Sequence, residues 1–199
     1  MSQPVHTGTA RRWPDTHTDS KELLLRLLFV CTGNICRSPV AERLATAYAA
    51  RLELADFQAT SAGTRAVIGH PIHADAVTVL EKLGGDGADF AARQLTPRIA
   101  LEADLVLTMT KAHRDRVLEG APRQLNRTFT LSEAARLATE FDARDVGDLA
   151  ALRSHVSTHE VSDIADPIGR SPDFFAAIGS QIAGLLPPII ELCWRSSLP

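Results

Sequence analysis

The stretch FVCTGNICRSP, residues 29–39, decides the fold of this chain. It overlaps the end of an apolar run, residues 23–30, that is typical of a buried parallel strand. Two cysteines, Cys31 and Cys36, lie in the short segment after that run. Ser38 and the proline after it then precede an amphipathic segment, as an N-cap and a first helical residue would. The stretch therefore predicts a strand, a tight loop and a helix in direct succession.

The rest of the chain alternates between strand-like and helix-like patterns. Short apolar runs predict further strands at 57–61, 105–109 and 127–130. Helical periodicity predicts helices at 40–52, 74–83 and 132–139, and a closing helix that begins at Ser171-Pro172. Such alternation favours an α/β fold, a three-layer α/β/α domain with a central four-stranded parallel sheet. The loop after Cys31 then lies between the first strand and the first helix.

The size of the chain suits a single domain. It has 199 residues, of which 45% are hydrophobic, and we expect one domain over residues 21–199. Residues 1–20 are polar and without periodicity, which predicts a flexible N-terminal extension and no signal peptide. Residues 140–160 are charged and uneven, which predicts a partly helical surface excursion.

Charge and cysteine content narrow the classes of function. The net charge is −3 and the pI about 6.2, so no basic excess favours nucleic acid or an anionic membrane as a partner. The longest apolar tail, residues 182–194, is interrupted by two prolines and is shorter than the roughly 20 residues of a membrane span. Three cysteines are too few for a disulfide scaffold, which favours a reducing compartment, the cytoplasm.

The loop after the first strand is a candidate anion-binding site. Ligands of an open parallel sheet bind beyond the carboxyl ends of its strands, and the start of the next helix adds partial positive charge. Successive N–H groups can turn inward there as an anion nest, and Gly33 and Asn34 permit the curvature. The pattern lacks the lysine and second glycine of the nucleotide-binding P-loop. The predicted phosphate-binding residues are Thr32, Gly33, Asn34, Ile35, Cys36, Arg37 and Ser38.

A cysteine at the mouth of such a nest is a candidate nucleophile. The N–H groups that bind an oxyanion also stabilise a thiolate at Cys31. The guanidinium of Arg37 can bind two phosphate oxygens, and the hydroxyl of Ser38 can donate a hydrogen bond to the sulfur. A thiolate beside a phosphate cradle predicts attack on phosphorus through a cysteinyl-phosphate. This chemistry requires neither a cofactor nor a metal ion.

At CTGNICRSP, residues 31–39, the chain resembles the low-molecular-weight protein tyrosine phosphatases of the bacterial type. The phosphate loop of that family is C-x5-R followed by Ser, usually Ser-Pro. Three further segments look like family segments in the family order: TSAGT at 60–64, ARQLT at 92–96 and ADLVLTM at 103–109. Asp166-Pro167 resembles the family's acid motif, and the resemblance covers about residues 25–190.

The resemblance implies a role for three residues. Cys31 is the nucleophile, Arg37 the phosphate clamp and Asp166 the general acid, which protonates the leaving group and then activates water. A phosphotyrosine-containing protein is the implied partner, and inorganic phosphate or another oxyanion the implied ligand of the loop. Asp163 is a rival carboxylate, but its spacing before Asp166 fits a surface turn.

Three places depart from the family pattern. Ile168-Gly169 follow the Asp-Pro motif, where an aromatic residue is common in the family. Residues 65–68, Arg-Ala-Val-Ile, carry no aromatic wall. Phe90 stands where many members have a histidine that helps to fix the loop asparagine. We therefore expect a less aromatic substrate cleft and an altered set of hydrogen bonds around Asn34.

The middle of the loop bears on the choice of substrate. Relatives that act on phosphotyrosine typically have Ile at the position of Ile35. Relatives that act on phosphoarginine typically have Thr there. A branched apolar side chain offers dispersion contacts to an aryl ring, whereas a hydroxyl suits a polar guanidinium. We therefore expect hydrolysis of phosphotyrosine, with protein arginine dephosphorylation as the first alternative.

Arsenate reduction and phosphate binding without catalysis are less favoured. Thioredoxin-linked arsenate reduction needs two more cysteines, and only Cys193 lies outside the loop. A thiol-coupled version escapes this objection, but its loops look less like CTGNICRSP. An inactive phosphate-binding module would usually have lost the nucleophile, the clamp or the acid, and Cys31, Arg37 and Asp166 are all present.

Cys36 and Cys193 are assigned different roles. Cys36 lies in the same tight loop as Cys31 and is predicted to capture an oxidised nucleophile as a reversible disulfide, which makes it the redox partner. Cys193 is predicted to be a small buried hydrophobe.

The histidines give weaker signals. His70 and His73 suggest a metal site only weakly, because no cysteine or carboxylate cluster joins them, and we assign them to a surface loop. His113, His155 and His159 lie in polar stretches, which predicts solvated side chains.

Overall fold

The computed structural model describes residues 25–54, 57–157 and 161–196; the predicted N-terminal extension, residues 1–20, lies outside them. Four parallel strands form one sheet: β1 (Arg26–Cys31), β2 (Gln58–Gly63), β3 (Leu105–Thr108) and β4 (Thr128–Thr130). The α-helices of the described ranges are α1 (Arg37–Arg51), α2 (Ala74–Lys82), α3 (Pro97–Glu102), α4 (Lys111–Gly120), α5 (Leu131–Glu140), α6 (Val146–Leu152) and α7 (Pro172–Ser196). Two 3₁₀ helices span Pro122–Arg127 and Arg153–His155.

The sheet lies between two layers of helices. Alternate residues of β1 point to opposite faces, so Leu27 and Phe29 join one apolar cluster while Leu28 and Val30 join the other. The first cluster is covered by α1, α2, α5 and α7, and the second by α3 and α4. This arrangement confirms the predicted three-layer α/β/α fold.

The strand order β2-β1-β3-β4 locates the crevice of the sheet. The chain leaves β1 toward β2 and then returns to form β3 on the other side of β1. The loops that follow β1 and β3 therefore separate at the carboxyl edge, where open α/β sheets bind their ligands. Cys31 is the last residue of β1 and lies at this point.

The first helix begins earlier than predicted. Its N-cap is Cys36, which makes no side-chain capping bond, so the expected N-cap at Ser38 is wrong. Ser38 lies in the first turn, and its hydroxyl faces the sulfur of Cys31 at 2.9 Å instead of a backbone N–H group. The hydroxyl is thereby directed at the loop that precedes the helix.

Two helices were not predicted from the sequence. Thr96 caps α3 by accepting a hydrogen bond from the N–H of Ile99 at 3.2 Å, and Pro97 is the first helical residue. Thr110 caps α4 in the same way, with His113 N–H as the donor at 3.1 Å. Together α3 and α4 form the helical layer on the second face of the sheet.

The predicted surface excursion at 140–160 contains α6. Asp145 caps this helix by accepting a hydrogen bond from Asp148 N–H at 2.8 Å. Leu149 is fully buried in the larger apolar cluster. Residues 158–160 lie outside the described residues.

The closing helix α7 continues through Pro187-Pro188 and is longer than the apolar tail suggested. Its length and composition meet the criteria of a membrane span, which the core helix of a globular domain also meets. Ile182, Leu186 and Ile189 are fully buried, and the helix packs on α1, α2 and α5. In this structure α7 is therefore a helix of the core.

The predicted solvation of His113 is wrong. This side chain is buried on α4, and its Nε2 lies 2.9 Å from the Oγ1 of Thr32 in the loop after β1. Burial, and next the charge of Arg37, lower the pKa of His113 to about 4, although the carboxylates of Asp166 and Asp163 act in the opposite direction. The imidazole is therefore neutral near pH 7.

Replacing His113 with Gln should flatten the dependence of stability on pH. The folded-state pKa of about 4 lies below the roughly 6.5 of an unfolded histidine. Between these values the unfolded chain binds a proton that the folded chain excludes, so the free energy of unfolding falls as the pH falls. The loss is absent above about pH 7 and complete below about pH 4, where it is on the order of 3 kcal/mol. Gln keeps a hydrogen-bonding group and removes the titration.

Urea denaturation at a series of pH values measures the free energy of unfolding, and its slope against pH tests the prediction. His70→Gln, at an exposed histidine, is the matched control and should keep the parent slope. A parent-like slope in His113→Gln would contradict a buried, neutral His113.

Candidate active site

Cys31 begins a loop whose backbone donors have no partners. Asn34 turns the chain midway through the loop with a left-handed φ of 55°. The N–H groups of residues 32–36 donate no hydrogen bond to any other group in the described part of the chain. Since backbone donors inside proteins are almost always paired, these groups and the start of α1 suit an oxyanion.

The sulfur of Cys31 has a defined hydrogen-bond donor. The backbone N–H of Arg93 donates to the Oδ1 of Asn34 at 2.8 Å, which fixes the orientation of the amide. The Nδ2 of Asn34 then donates to the Oγ of Ser38 at 3.0 Å. Because this oxygen already accepts a bond, its own hydrogen is available to the sulfur of Cys31, 2.9 Å away. The hydroxyl is thus positioned to stabilise a thiolate.

The same amide connects the loop to β2 and α1. The Nδ2 of Asn34 also donates to the Oγ of Ser61 at 2.8 Å. Ser61 in turn donates to the Oε2 of Glu42 at 2.6 Å, and its carbonyl accepts from the Nε of Arg93 at 2.7 Å. Burial raises the pKa of Glu42, while the Ser61 hydroxyl, then Arg43 and Arg93, act against this shift.

Phe90 contributes packing to this region and no polar group. The guanidinium of Arg43 lies 5.7 Å from the centre of its ring. The hydroxyl of Ser61 donates its hydrogen bond directly to Glu42. The amide of Asn34 therefore has partners for both of its hydrogens and for its oxygen without a histidine.

Arg37 joins the loop to the segment that carries Asp166. Its Nη1 donates to the carbonyl of Ile164 at 2.9 Å, and its Nη2 pairs with the Oδ2 of Asp166 at 2.5 Å. The side chain is 4% exposed, and its Nε is a buried donor without a partner. Because buried cationic donors rarely stay unpaired, this N–H group indicates where an anion would bind.

The segment around Asp166 is tied to the carboxyl end of β3. The N–H of Ile164 donates to the carbonyl of Met109 at 2.8 Å. Asp163, the rival carboxylate, accepts a hydrogen bond from the N–H of Lys111 at 2.9 Å and so anchors the segment to α4. The other oxygen of Asp166, Oδ1, accepts from the N–H of Ile168 at 3.2 Å.

The loop, Asp166 and one flanking segment enclose a cavity of about 450 Å³. We call residues 64–67 the wall segment. Its backbone is bonded to the loop: Thr64, Arg65 and Val67 donate to the carbonyls of Cys31, Thr32 and Gly33 at 2.9, 2.9 and 3.0 Å. The residues that line the cavity are Cys31, Thr32, Gly33, Ile35, Cys36, Arg37, Arg65, Val67, Asp166 and Ile168.

Gly63 permits this close approach of the two segments. A Cβ at this position would lie 2.5 Å from the carbonyl oxygen of Thr32, which is closer than real Cβ contacts. The glycine of the TSAGT segment is therefore explained by the short distance between two backbones.

The two remaining thiols are buried. Burial raises the pKa of Cys36 to about 12, with smaller contributions in the same direction from Cys31 and Asp166 and an opposing one from Arg37. Burial likewise raises the pKa of Cys193 to about 12. Both are therefore neutral thiols at pH 7, and Cys36 shares the cavity with Cys31.

The two histidines that gave a weak metal signal differ in their surroundings. His73 is the N-cap of α2, where its Nδ1 accepts from the N–H of Asp75 at 3.3 Å, and its ring stacks on Phe175 at 5.0 Å. His70 is exposed. No cluster of three potential metal ligands occurs among the described residues.

Sequence reasoning missed four polar residues that support the loop. Ser61 and Arg93 lie inside the segments TSAGT and ARQLT, whose match to the family could have marked them. Glu42 lies about one helical turn after Ser38, a spacing that places both side chains on the same side of α1. His113 carried no sequence signal, because its neighbours in α4 are polar.

Comparisons with known proteins agree with this geometry. The family model described as "Low molecular weight phosphotyrosine protein phosphatase" matches residues 26–191. The low molecular weight protein-tyrosine-phosphatase Etp of Escherichia coli K12 is 36% identical over 107 residues, which are 54% of this chain and 69% of that protein. A protein-arginine-phosphatase of Geobacillus stearothermophilus is 31% identical over 166 residues, 83% of this chain and 94% of that protein.

A solved structure shares the fold as well. The low molecular weight protein tyrosine phosphatase from T. tengcongensis is 32% identical, with a TM-score of 0.67, over 84% of this chain and 98% of that chain. With the family match over residues 26–191, the chain belongs to the low molecular weight phosphotyrosine protein phosphatase family.

Proposed function

We propose that this protein hydrolyses phosphotyrosine in proteins through a cysteinyl-phosphate formed on Cys31. The observation that carries the proposal is the set of unpartnered donors around the sulfur: the N–H groups of residues 32–36 and the buried Nε of Arg37. Most of these residues line a cavity that also contains Asp166. A phosphate dianion would satisfy these donors and place its phosphorus beside the thiolate.

The first step transfers the phosphoryl group to sulfur. The thiolate of Cys31 attacks phosphorus, an S–P bond forms, and the bond from phosphorus to the tyrosine oxygen breaks. The carboxylic acid of Asp166 gives its proton to the departing phenolate. The loop N–H groups and Arg37 stabilise the charge on the three phosphoryl oxygens.

The second step restores the enzyme. Asp166, now a carboxylate, takes a proton from a water molecule that attacks phosphorus on the side from which tyrosine left. The S–P bond breaks, inorganic phosphate forms, and the electron pair returns to the sulfur. The hydroxyl of Ser38, 2.9 Å from the sulfur, stabilises this leaving thiolate.

The contact between Arg37 and Asp166 holds the proposed acid beside the phosphate-binding loop. In the free protein the carboxylate pairs with the guanidinium at 2.5 Å. A bound phosphate dianion would compete for the same guanidinium.

Asp166→Asn should reduce kcat/KM more for a substrate with a poor leaving group than for one with a good leaving group. For a phosphotyrosine peptide we expect a loss of about 10²–10⁴-fold, because the phenolate of tyrosine is a poor leaving group. For an activated aryl phosphate the loss should be much smaller. Steady-state kinetics measures both, and kcat/KM reports the formation of the cysteinyl-phosphate without its hydrolysis.

Two further variants make this test specific. Asp163→Asn alters the neighbouring carboxylate that anchors the segment. It should reduce kcat/KM for both substrates by the same factor. Cys31→Ser should abolish turnover of both while it retains binding of phosphate. Equal losses on both substrates in Asp166→Asn would show that Asp166 has only a structural role.

The side chains around the cavity favour an aryl substrate. Ile35, Val67 and Ile168 line it and supply aliphatic surface where the family often has aromatic walls. The branched chain of Ile35 offers dispersion contacts to a ring. Arg65 lines the same cavity and would repel the cationic guanidinium of a phosphoarginine substrate.

Protein arginine dephosphorylation is the second candidate function. It is favoured by the Geobacillus relative named a protein-arginine-phosphatase, whose match covers 83% of this chain. Two side chains oppose this second function. Ile35 lies where such relatives typically have threonine, and Arg65 carries a positive charge. Both residues line the cavity, where they would lie close to the leaving group. Phosphotyrosine therefore remains the favoured substrate.

The unmodified protein should hydrolyse phosphotyrosine peptides faster than phosphoarginine peptides, and Ile35→Thr should shift the ratio toward phosphoarginine. One pocket contact is worth about 1–3 kcal/mol, or roughly 10–200-fold in relative kcat/KM. Ile168→Thr makes the same chemical change at the exposed mouth of the cavity and should have a smaller effect. Faster hydrolysis of phosphoarginine by the unmodified protein would replace the main proposal with the second candidate.

Arsenate reduction and phosphate binding without catalysis have less support. Cys193 is a buried neutral thiol near the end of α7, where it is poorly suited to relay a disulfide for arsenate reduction. An inactive binding module does not need an acid, whereas Asp166 lies in the cavity with the nucleophile.

Cys36 is proposed as the redox partner of the nucleophile. Peroxide would oxidise the thiolate of Cys31 to a sulfenic acid with release of hydroxide, and Cys36 would then displace water and form a disulfide. Cys36 lines the same cavity as Cys31, so its thiol is close to the oxidised residue. A cytoplasmic location would supply the thiols that reverse it.

Cys36→Ala should therefore lose activity irreversibly under peroxide, whereas the parent recovers when a thiol is added. Mass spectrometry should find a 31–36 disulfide in the parent and sulfinic or sulfonic acid at Cys31 in the variant. Cys193→Ala is the matched control and should recover like the parent. Full recovery of Cys36→Ala would exclude the protective role.

A further inference from the structure

Arg65 places a positive charge at the mouth of the cavity. Its side chain is exposed and lines the cavity. No hydrogen bond or ion pair of its guanidinium occurs within the described residues. The other charged groups of the cavity, Arg37 and Asp166, are paired with each other. Within the described part of the chain, the guanidinium of Arg65 is thus available to contact a ligand at this mouth.

The backbone beneath Arg65 is held rigidly. The N–H of Arg65 donates to the carbonyl of Thr32 at 2.9 Å, and its neighbours in the wall segment are also paired. The N–H of Ala66 donates to the Oε1 of Gln94 at 3.0 Å, whose Nε2 donates to the carbonyl of Thr64 at 3.0 Å. The origin of the side chain is therefore fixed relative to the phosphate loop, while its guanidinium remains free to reach outward.

We propose that Arg65 recognises an acidic residue next to the phosphotyrosine of the substrate protein; this inference rests on the proposed phosphotyrosine hydrolysis. The phosphate itself is expected on the loop N–H groups and the buried Arg37, at the floor of the cavity. A charge at the mouth instead faces the peptide on either side of the phosphotyrosine. Neighbouring residues of an extended peptide are about 3.8 Å apart, so a carboxylate within two positions is in reach of an arginine side chain.

A second arginine near the mouth is less suited to this role. Arg170 follows the Asp166 segment, but its guanidinium lies 5.4 Å from the centre of the Phe174 ring. It does not line the cavity. Arg170 therefore serves as a nearby control for a general effect of positive charge.

The test compares three phosphotyrosine peptides that differ only at the residues flanking the phosphotyrosine: Glu, Gln or Lys. The parent should prefer the Glu peptide to the Gln peptide by about 1.5- to 5-fold in kcat/KM, as expected of a partly exposed ion pair. The preference should lie mainly in KM and should shrink in high salt, because the pair is exposed to solvent. Arg65→Gln should abolish it, and Arg65→Glu should reverse it in favour of the Lys peptide.

Two variants with the same loss of charge are the controls. Arg170→Gln lies near the site, and Arg51→Gln lies at the far end of α1, about 20 Å along the helix. Both should keep the preference of the parent for the Glu peptide. A parent without preference, a preference that survives Arg65→Gln, or one that either control abolishes would overturn the role of Arg65 and leave phosphotyrosine hydrolysis intact. Absence of turnover on all three peptides would overturn both proposals.

Discussion

The buried amide of Asn34 is the interaction on which the site depends. Its side chain is fully buried in a residue with left-handed backbone, and its oxygen and both hydrogens have partners on three segments of the chain. An unpaired buried donor or acceptor costs about 1–3 kcal/mol, so a changed loop conformation would lose several such bonds together. The same amide sets the direction of the Ser38 hydroxyl, and thereby gives the sulfur a donor. Loop shape and nucleophile stabilisation are thus consequences of one side chain.

Arg37 connects the loop to another segment and keeps one donor unpaired. In the free protein it binds the carbonyl of Ile164 and the carboxylate of Asp166, and so connects the loop to the segment after β3. Its Nε remains unpartnered inside the protein. Binding of phosphate, as proposed above, would satisfy that donor. A single guanidinium therefore joins the loop to the Asp166 segment and still has one donor free for a ligand.

The parts of the fold that were predictable are those with strong local signals. The apolar run before Cys31 and the turn residues after it predicted β1, the loop and α1, and the alternation of patterns predicted the parallel sheet. Short or polar helices were missed: α4 buries only His113 and Val117, so its periodicity is weak. The burial of His113 depends on how α4 packs beside the loop, which no local pattern contains. The N-cap at Ser38 failed for a related reason, because the hydroxyl faces Cys31 and Asn34 instead of the helix backbone.

The backbone and the side chains of the site divide the functional tasks. The loop and the wall segment are joined by backbone hydrogen bonds, and Gly63 allows the approach because a Cβ would strike the carbonyl of Thr32. These contacts place the anion-binding groups independently of which side chains stand at positions 35, 65 and 67. Ile35, Arg65 and Val67 project from this common frame into the cavity. The proposed phosphate chemistry therefore depends mainly on backbone geometry, whereas the proposed choice of substrate depends on a few side chains of the cavity.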